Sequence, residues 1–142
     1  MPVRVEEYQA LAKILKQLHC TYQEILDVGI KIEYCQIDDV SKWMNSRHRL
    51  VARGQELTDQ VLLYILNDDW MQALSVSQSA WVSEFRQSII ELEPAVLQQH
   101  HHIVKVIREK SQSLRGQLVQ KNTQKRAMNA YRNAPGSRTM VA

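Results

Sequence analysis

Proline and glycine are scarce in this chain. Its 142 residues include only four glycines and three prolines, and the prolines stand at positions 2, 94 and 135. Two long stretches therefore lack proline, the residue that breaks helices most strongly. Apolar and polar residues do not alternate over any long stretch, so strands have little support. This composition predicts an all-α protein, and the length predicts one domain with a hydrophobic core.

Cysteines and long apolar runs are scarce as well. Cys20 and Cys35 are 15 residues apart on one predicted helix, where a rise of about 1.5 Å per residue separates them too far for a disulfide. No apolar run reaches the length of a transmembrane helix, and the first residues, MPVRVEEYQALAK, do not resemble a signal peptide. We therefore expect a cytoplasmic protein with free thiols.

Motifs for catalysis and metal binding are missing too. The chain has no glycine-rich phosphate loop, no nucleophile elbow and no cysteine–histidine pair of a known signature. The densest titratable cluster is His100, His101 and His102, but adjacent residues on a helix point about 100° apart and share no face for a metal ion. A metal site would need His19 or His48 from another helix. We expect no enzyme activity, no metal and no cofactor.

Acidic residues are absent from the last part of the chain. Residues 1–109 carry 11 Lys and Arg and 15 Asp and Glu, whereas residues 110–142 carry seven basic residues and no acidic one. The basic segment is either a solvated helix end, where cations favour the negative pole of the helix dipole, or a surface for an acidic partner. We expect no nucleic-acid partner because the segment has only one aromatic residue, and no insertion into a membrane.

Apolar residues predict two amphipathic helices in the first half of the chain. The first covers residues 4–36, and its apolar positions alternate in spacings of four and three, like a coiled-coil seam: Leu11, Leu15, Leu18, Tyr22, Ile25, Gly29 and Ile32. The second begins at Asp38 or Asp39, and its apolar side is Val40, Trp43, Met44, Leu50, Leu57, Val61, Ile65 and Leu66. We expect Gly54 to weaken the middle of the second helix and to allow a bend.

Two further helices follow, with Pro94 between them. The third has the apolar residues Trp70, Met71, Leu74, Trp81, Val82, Phe85, Ile89 and Ile90. Pro94 ends it or opens the fourth, because proline is tolerated in a first turn. The fourth has the most regular seam: Leu97, His100, Val104, Ile107, Ser111, Leu114 and Leu118, with Met128 in the same register. The predicted architecture is an antiparallel bundle of about four helices with coiled-coil-like packing.

Acidic pairs mark two of the predicted joints. Asp38-Asp39 and Asp68-Asp69, the second preceded by Asn67, are each followed closely by a tryptophan. We interpret them as helix caps, since a short polar side chain at a helix start accepts hydrogen bonds from free backbone N–H groups. This role explains the carboxylates without acid–base catalysis.

Two stretches resemble the flagellar type III export chaperones of the FliT/FlgN type. The stretch YILNDDWMQALSVSQSAWVSEFRQSIIEL is similar to the family's joint and following helix through Asn67, Asp68, Trp70, Leu74, Arg86, Ile89 and Ile90. The ending QKRAMNAYRN resembles the family's C-terminal tyrosine motif through Gln124, Lys125, Asn129, Ala130 and Tyr131. The resemblance covers roughly residues 58–134 and, more loosely, residues 26–57.

The resemblance implies a small, non-enzymatic chaperone of the cytoplasm. Such proteins bind the C-terminal amphipathic segment of a filament-cap or hook–filament junction protein, prevent early assembly, and deliver it to the export gate or its ATPase complex. The resemblance implies a docking role for Tyr131, with Asn129, Lys125 and Arg126 beside it. Arg132 stands where the cap-protein type often has glycine, and the first helix is longer than in that type, so the subtype stays open.

Two alternatives remain at this point. Tyr131 is either an anchor in a basic tail or a helix-end aromatic that folds back onto the bundle. The protein is either an export chaperone or a non-enzymatic structural or regulatory module whose heptads pair with a second copy as a coiled-coil dimer. We predict one bundle domain over residues 1–131 and a flexible tail over residues 132–142.

Overall fold

Helices account for nearly all of the residues that this computed structural model describes, which are residues 4–133. Helix α1 spans Val5–Tyr34, a 3₁₀ turn follows at Ile37–Asp39, and helix α2 spans Val40–Ile65. A short helix, α3, covers Asp68–Gln72, and helix α4 covers Val76–Arg132. Residues 4–133 contain no strand, so the prediction of an all-α helical bundle is confirmed. None of these helices has the length and apolar character needed to cross a membrane.

Internal contacts divide the chain into two compact units, Met1–Val104 and Lys105–Ala142. The first unit contains the groove and the core described below. In the second unit, every residue from 112 to 133 is exposed. The boundaries expected from the sequence, 1–131 for the bundle and 132–142 for the tail, stay a prediction, and residues 134–142 of that tail lie outside the described residues.

Helix α1 supplies the centre of the hydrophobic core. Six of the seven predicted seam positions are buried, and the seventh buried residue is Thr21 in place of Tyr22. The Thr21 hydroxyl donates to the backbone carbonyl of Gln17 at 2.8 Å, so its burial leaves no unmet donor. Tyr22 is half-buried and faces a cavity.

Helix α2 packs on α1 through a seven-residue repeat that contains two unexpected residues. Its buried positions include Val40, Arg47, Gly54 and Val61, which are each seven residues apart. Arg47 and Gly54 are therefore buried at positions that the apolar pattern did not predict to be in the core. The helix is continuous through Gly54, and Leu66, predicted on its apolar side, is exposed.

The joint before α3 is capped as predicted, whereas the joint before α2 is not. The Asn67 side chain accepts from the backbone N–H of Trp70 at 3.1 Å, which makes Asn67 the N-cap and places Asp68-Asp69 in the first turn. Asp38-Asp39 lie in the 3₁₀ turn and make no side-chain capping bond. Their charges still favour the start of α2 through the helix dipole.

Helix α4 begins at a signal that the sequence analysis missed. Ser75 and Gln78 form a capping box, the reciprocal pair of bonds typical of the pattern Ser-x-x-Gln. The Gln78 backbone N–H donates to Ser75 Oγ at 3.2 Å, and the Ser75 backbone N–H donates to Gln78 Oε1 at 3.0 Å.

Helix α4 continues through Pro94, so the predicted break at this residue is wrong. A proline inside a helix removes one hydrogen bond and disfavours the structure. One apolar register nevertheless runs across it, because Val82, Ile89 and Ile103 are buried and Val96 is half-buried. These positions are seven residues apart, and a helix end at Pro94 would remove the later ones from the core.

The predicted seam of the last helix is one residue away from the observed one at Leu97 and Val104, whereas the predicted positions His100, Ile107 and Ser111 are half-buried. Leu97 is 59% exposed, and Val104 is exposed as well. The residues that face the core are instead their immediate predecessors in the sequence, half-buried Val96 and buried Ile103. The prediction that Leu97 and Val104 lie in the core is therefore wrong.

Candidate functional site

A groove lies between α2 and α4, with α1 as its floor. It consists of two cavities, of about 430 Å³ and about 150 Å³, and Glu93 lines both. The larger cavity has an apolar lining formed by Ile25, Met44, Val51, Val96 and Leu97. Its volume is in the usual range of small-molecule and side-chain binding sites.

The smaller cavity has partly exposed apolar residues from both helices. Leu62 of α2 is 41% exposed and Ile90 of α4 is 50% exposed, although both line this cavity. The buried residues Leu15 and Leu18 of α1 lie at its base. This end of the groove therefore presents apolar surface that an additional apolar group would cover.

Arg47 is a buried cation in the lining of the larger cavity. It is 5% exposed, and its Nη2 donates to the backbone carbonyl of Val96 at 3.2 Å and to Gln99 Oε1 at 3.3 Å. Its Nη1 lies 3.5 Å from His100 Nδ1. The Nε atom is buried without a hydrogen-bond partner.

No carboxylate of the described residues pairs with Arg47. Neither of the two ion pairs found within residues 4–133 includes it. Burial lowers the pKa of the guanidinium from its usual value, but arginine stays protonated in proteins. Five N–H groups thus face three acceptors, and the cavity contains a desolvated positive charge whose counter-ion the described chain does not supply.

Gln99 connects Arg47 to α1. Its Nε2 donates to the Leu26 carbonyl at 2.7 Å, while its Oε1 accepts from Arg47. This close approach requires Gly29, because a Cβ at that position would overlap the Gln99 amide. Side chains of α2 and α4 and the backbone of α1 therefore meet in one polar junction inside the core.

Tyr22 and Glu93 form a second polar pair in the groove. The Tyr22 hydroxyl donates to Glu93 Oε1 at 3.4 Å. Burial, and then the negative charge of Glu93, raise the pKa of Tyr22. Along α4, Glu93 precedes the residues that Arg47 contacts by about one to two helical turns. The larger cavity therefore has a cation towards one end and an anion towards the other.

The three adjacent histidines have different surroundings. His100 lines the larger cavity beside Arg47, His102 Nε2 lies 2.8 Å from Glu33 Oε1, and His101 is exposed. Within residues 4–133, no group of three or more His, Cys, Asp and Glu side chains is arranged to hold a metal ion.

The residues predicted to bind a partner lie in the last turns of α4. Lys125, Arg126, Asn129 and Tyr131 are all exposed, and Tyr131 is 70% exposed. Tyr131 belongs to the helix, which ends at Arg132, rather than to a segment beyond it. Lys125 and Asn129 are one turn apart and share a face.

Comparison with known proteins adds no relative. No protein-family model matches this chain, and neither the curated proteins nor the solved structures contain a match. The likeness to the flagellar chaperones therefore depends on the sequence stretches 64–92 and 124–133 alone.

Proposed function

We propose that this protein is a non-enzymatic cytoplasmic export chaperone of the flagellar type III kind. It binds the amphipathic C-terminal segment of a filament-cap or hook–filament junction protein, prevents early assembly, and delivers this client to the export gate or its ATPase complex. The observation that carries the proposal is the apolar groove between α2 and α4.

The groove has the character that a partner helix requires. An amphipathic helix presents apolar residues every three or four positions, and such a stripe binds in a groove between two helices. Covering the exposed parts of Leu62 and Ile90 contributes about 1 kcal/mol each, since complete burial of such side chains contributes about 1.5–3 kcal/mol. Leu63 and Leu66, at the end of α2, add exposed apolar surface.

The end of α4 supports a separate docking role. Tyr131 presents a large aromatic surface among exposed basic residues, and aromatic side chains often dominate the affinity of a protein interface. Lys125 and Arg126 increase the association rate with an acidic surface of the export gate. Asn129, which shares a helix face with Lys125, is the fourth residue that we propose to contact the gate.

A homodimer is the second candidate function. Leu114, Leu118 and Met128 are exposed on α4 at heptad-compatible positions, and such residues pair with a second copy in a coiled coil. In that case the protein would be a structural or regulatory module, and the exposed seam rather than the groove would bind the partner.

Calorimetry with the client segment tests the proposal. Capture from a flagellated lysate identifies the client, and its purified C-terminal segment is then titrated into wild type, a Leu62→Gln/Ile90→Gln variant and a Leu118→Gln control. We expect the groove variant to bind about tenfold more weakly, in line with the loss of about 1–2 kcal/mol, and the control to bind normally.

The opposite pattern would overturn the proposal. If Leu118→Gln abolishes binding, or converts a dimer to a monomer in sedimentation analysis while the groove variant binds normally, the dimer is the correct function. The control is matched because Leu118 is as exposed as the groove pair and also lies on a helix surface.

A further inference from the structure

The lining of the larger cavity contains a buried cation, Arg47, without an ion-pair partner among the described residues. Arg47 is almost fully buried, and within residues 4–133 its Nε has no hydrogen-bond partner and no carboxylate pairs with it. A buried charge without a partner is strongly disfavoured. The arginine is nevertheless held in place by Val96 and Gln99, so its position on the cavity wall is fixed.

We propose that the larger cavity binds a small amphipathic carboxylic acid, with the carboxylate on Arg47 and the hydrocarbon body against the apolar lining. Guanidinium and carboxylate groups form short, charge-assisted hydrogen bonds, which are about twice as strong as neutral ones. The body of the ligand contacts Ile25, Met44, Val51 and Leu97. This site is distinct in chemistry from the apolar pair Leu62 and Ile90 and does not depend on the proposed chaperone function.

The charges in the groove set the orientation of the ligand. Glu93 lines the cavity and accepts a hydrogen bond from Tyr22, so it repels a carboxylate that approaches its end of the cavity. Arg47 of α2 contacts Val96, Gln99 and His100, which follow Glu93 along α4. The acid group therefore binds at the Arg47 end.

A free acid fits this site better than an acidic side chain of a protein partner. Arg47 is buried rather than placed at the rim, so its ligand has to enter the cavity. A small molecule can enter the cavity completely. An Asp or Glu side chain of a partner is attached to a backbone that stays outside, and this limits how deep its carboxylate reaches.

Decanoate is the probe, and decanol is its uncharged control. Both are titrated below their aggregation limits into wild type, Arg47→Met, Val51→Phe and Val119→Phe. Val51→Phe fills the cavity without changing Arg47, and Val119→Phe makes the same substitution at an exposed site. The methyl NMR signal of Met44 reports the location, because Met44 lines the cavity and is one of five methionines in the chain.

We expect one decanoate per chain, a shift of the Met44 signal, and affinity roughly ten- to a hundredfold above that of decanol, as a hydrogen bond to a charged group predicts. Arg47→Met should abolish this preference, Val51→Phe should weaken both ligands, and Val119→Phe should bind like wild type.

Three results would overturn the proposal. The first is that decanoate does not bind to wild type. The second is that Arg47→Met keeps the preference for decanoate over decanol. If Arg47→Met does not fold, unchanged decanoate binding in Val51→Phe is the second result instead. The third is that Arg47 is required by the client segment while decanoate does not bind, which would assign the arginine to a protein carboxylate instead.

Discussion

Replacing Gly29 by alanine tests the polar junction between the three long helices. In an exposed helix interior this change stabilises a protein by about 0.5–1 kcal/mol, because alanine has the higher helix propensity. At Gly29 the new Cβ would occupy the position of the Gln99 amide. Gln99 would then lose its bonds to the Leu26 carbonyl and to Arg47.

The lost bonds outweigh the gain in propensity. A neutral hydrogen bond contributes about 0.5–1.5 kcal/mol and one to a charged group about 1.5–3 kcal/mol. We therefore expect Gly29→Ala to lower the free energy of unfolding by about 1–3 kcal/mol. Urea denaturation followed by circular dichroism measures the change, provided that the slope with denaturant stays constant.

Gly54→Ala is the matched control on the same core. A Cβ at Gly54 would meet only Thr21 Cγ2, at 3.8 Å, which is an ordinary contact. This variant should gain up to about 1 kcal/mol from helix propensity. If Gly29→Ala is as stabilising as Gly54→Ala, the hydrogen bonds of Gln99 do not contribute to the stability of the protein.

Three further predictions concern the core, the groove and the helix end. Leu57→Ala should lower the free energy of unfolding by about 2–5 kcal/mol because Leu57 is fully buried. Leu114→Ala should lower it by less than about 1 kcal/mol, since Leu114 is exposed. Equal losses in urea denaturation would contradict the assigned register. Burial and the charge of Glu93 raise the pKa of Tyr22 above its usual value, so the neutral phenol contributes stability that is complete below the unfolded-state pKa and is lost as the pH rises through the folded-state pKa. Tyr22→Phe should therefore reduce the loss of stability above about pH 10, and an unchanged alkaline profile would refute this. Tyr131→Ala should leave folding and client binding unchanged but weaken binding to the export gate's cytoplasmic domain by about 2 kcal/mol; a lower melting temperature with normal docking would show a structural tyrosine.

The α1 seam was predictable because its apolar positions keep alternating spacings of four and three along most of the helix, from Leu11 to Ile32. Ile14 and Leu26 stand next to seam residues and are half-buried, but only the seam keeps the alternation of four and three, so the pattern identifies the most buried side. In α4 the residues Val96 and Leu97, and likewise Ile103 and Val104, are adjacent and all apolar. Two overlapping seams are then compatible with the sequence, and only the position of α1 decides that half-buried Val96 and buried Ile103 face the core.

The helix boundaries were predictable where a local signal decides them. Asn67 caps α3 through its own side chain. The capping box of Ser75 and Gln78 is an equally local signal for the start of α4. Pro94 is different, because its local effect is outweighed by the continuous register on both sides. A prediction based on proline alone therefore fails there.

The groove was not predictable from residue patterns, because it is defined by side chains from three helices. Arg47 had one sequence signal, its place in the seven-residue repeat from Val40 to Val61. Charged residues are normally on the surface, so the apolar pattern alone gives no reason to place Arg47 in the core. Gln99 and Gly29 are 70 residues apart in sequence, and only the packing of α4 on α1 brings them together.

The claim that the groove binds the partner is tested most directly by mapping the bound client segment with leucine and isoleucine methyl NMR. If the client lies in the groove, the signals of Leu62 and Ile90 shift and those of Leu114 and Leu118 stay unchanged. Shifts confined to Leu114 and Leu118, with Leu62 and Ile90 unchanged, would contradict it and place the partner on the exposed seam of α4.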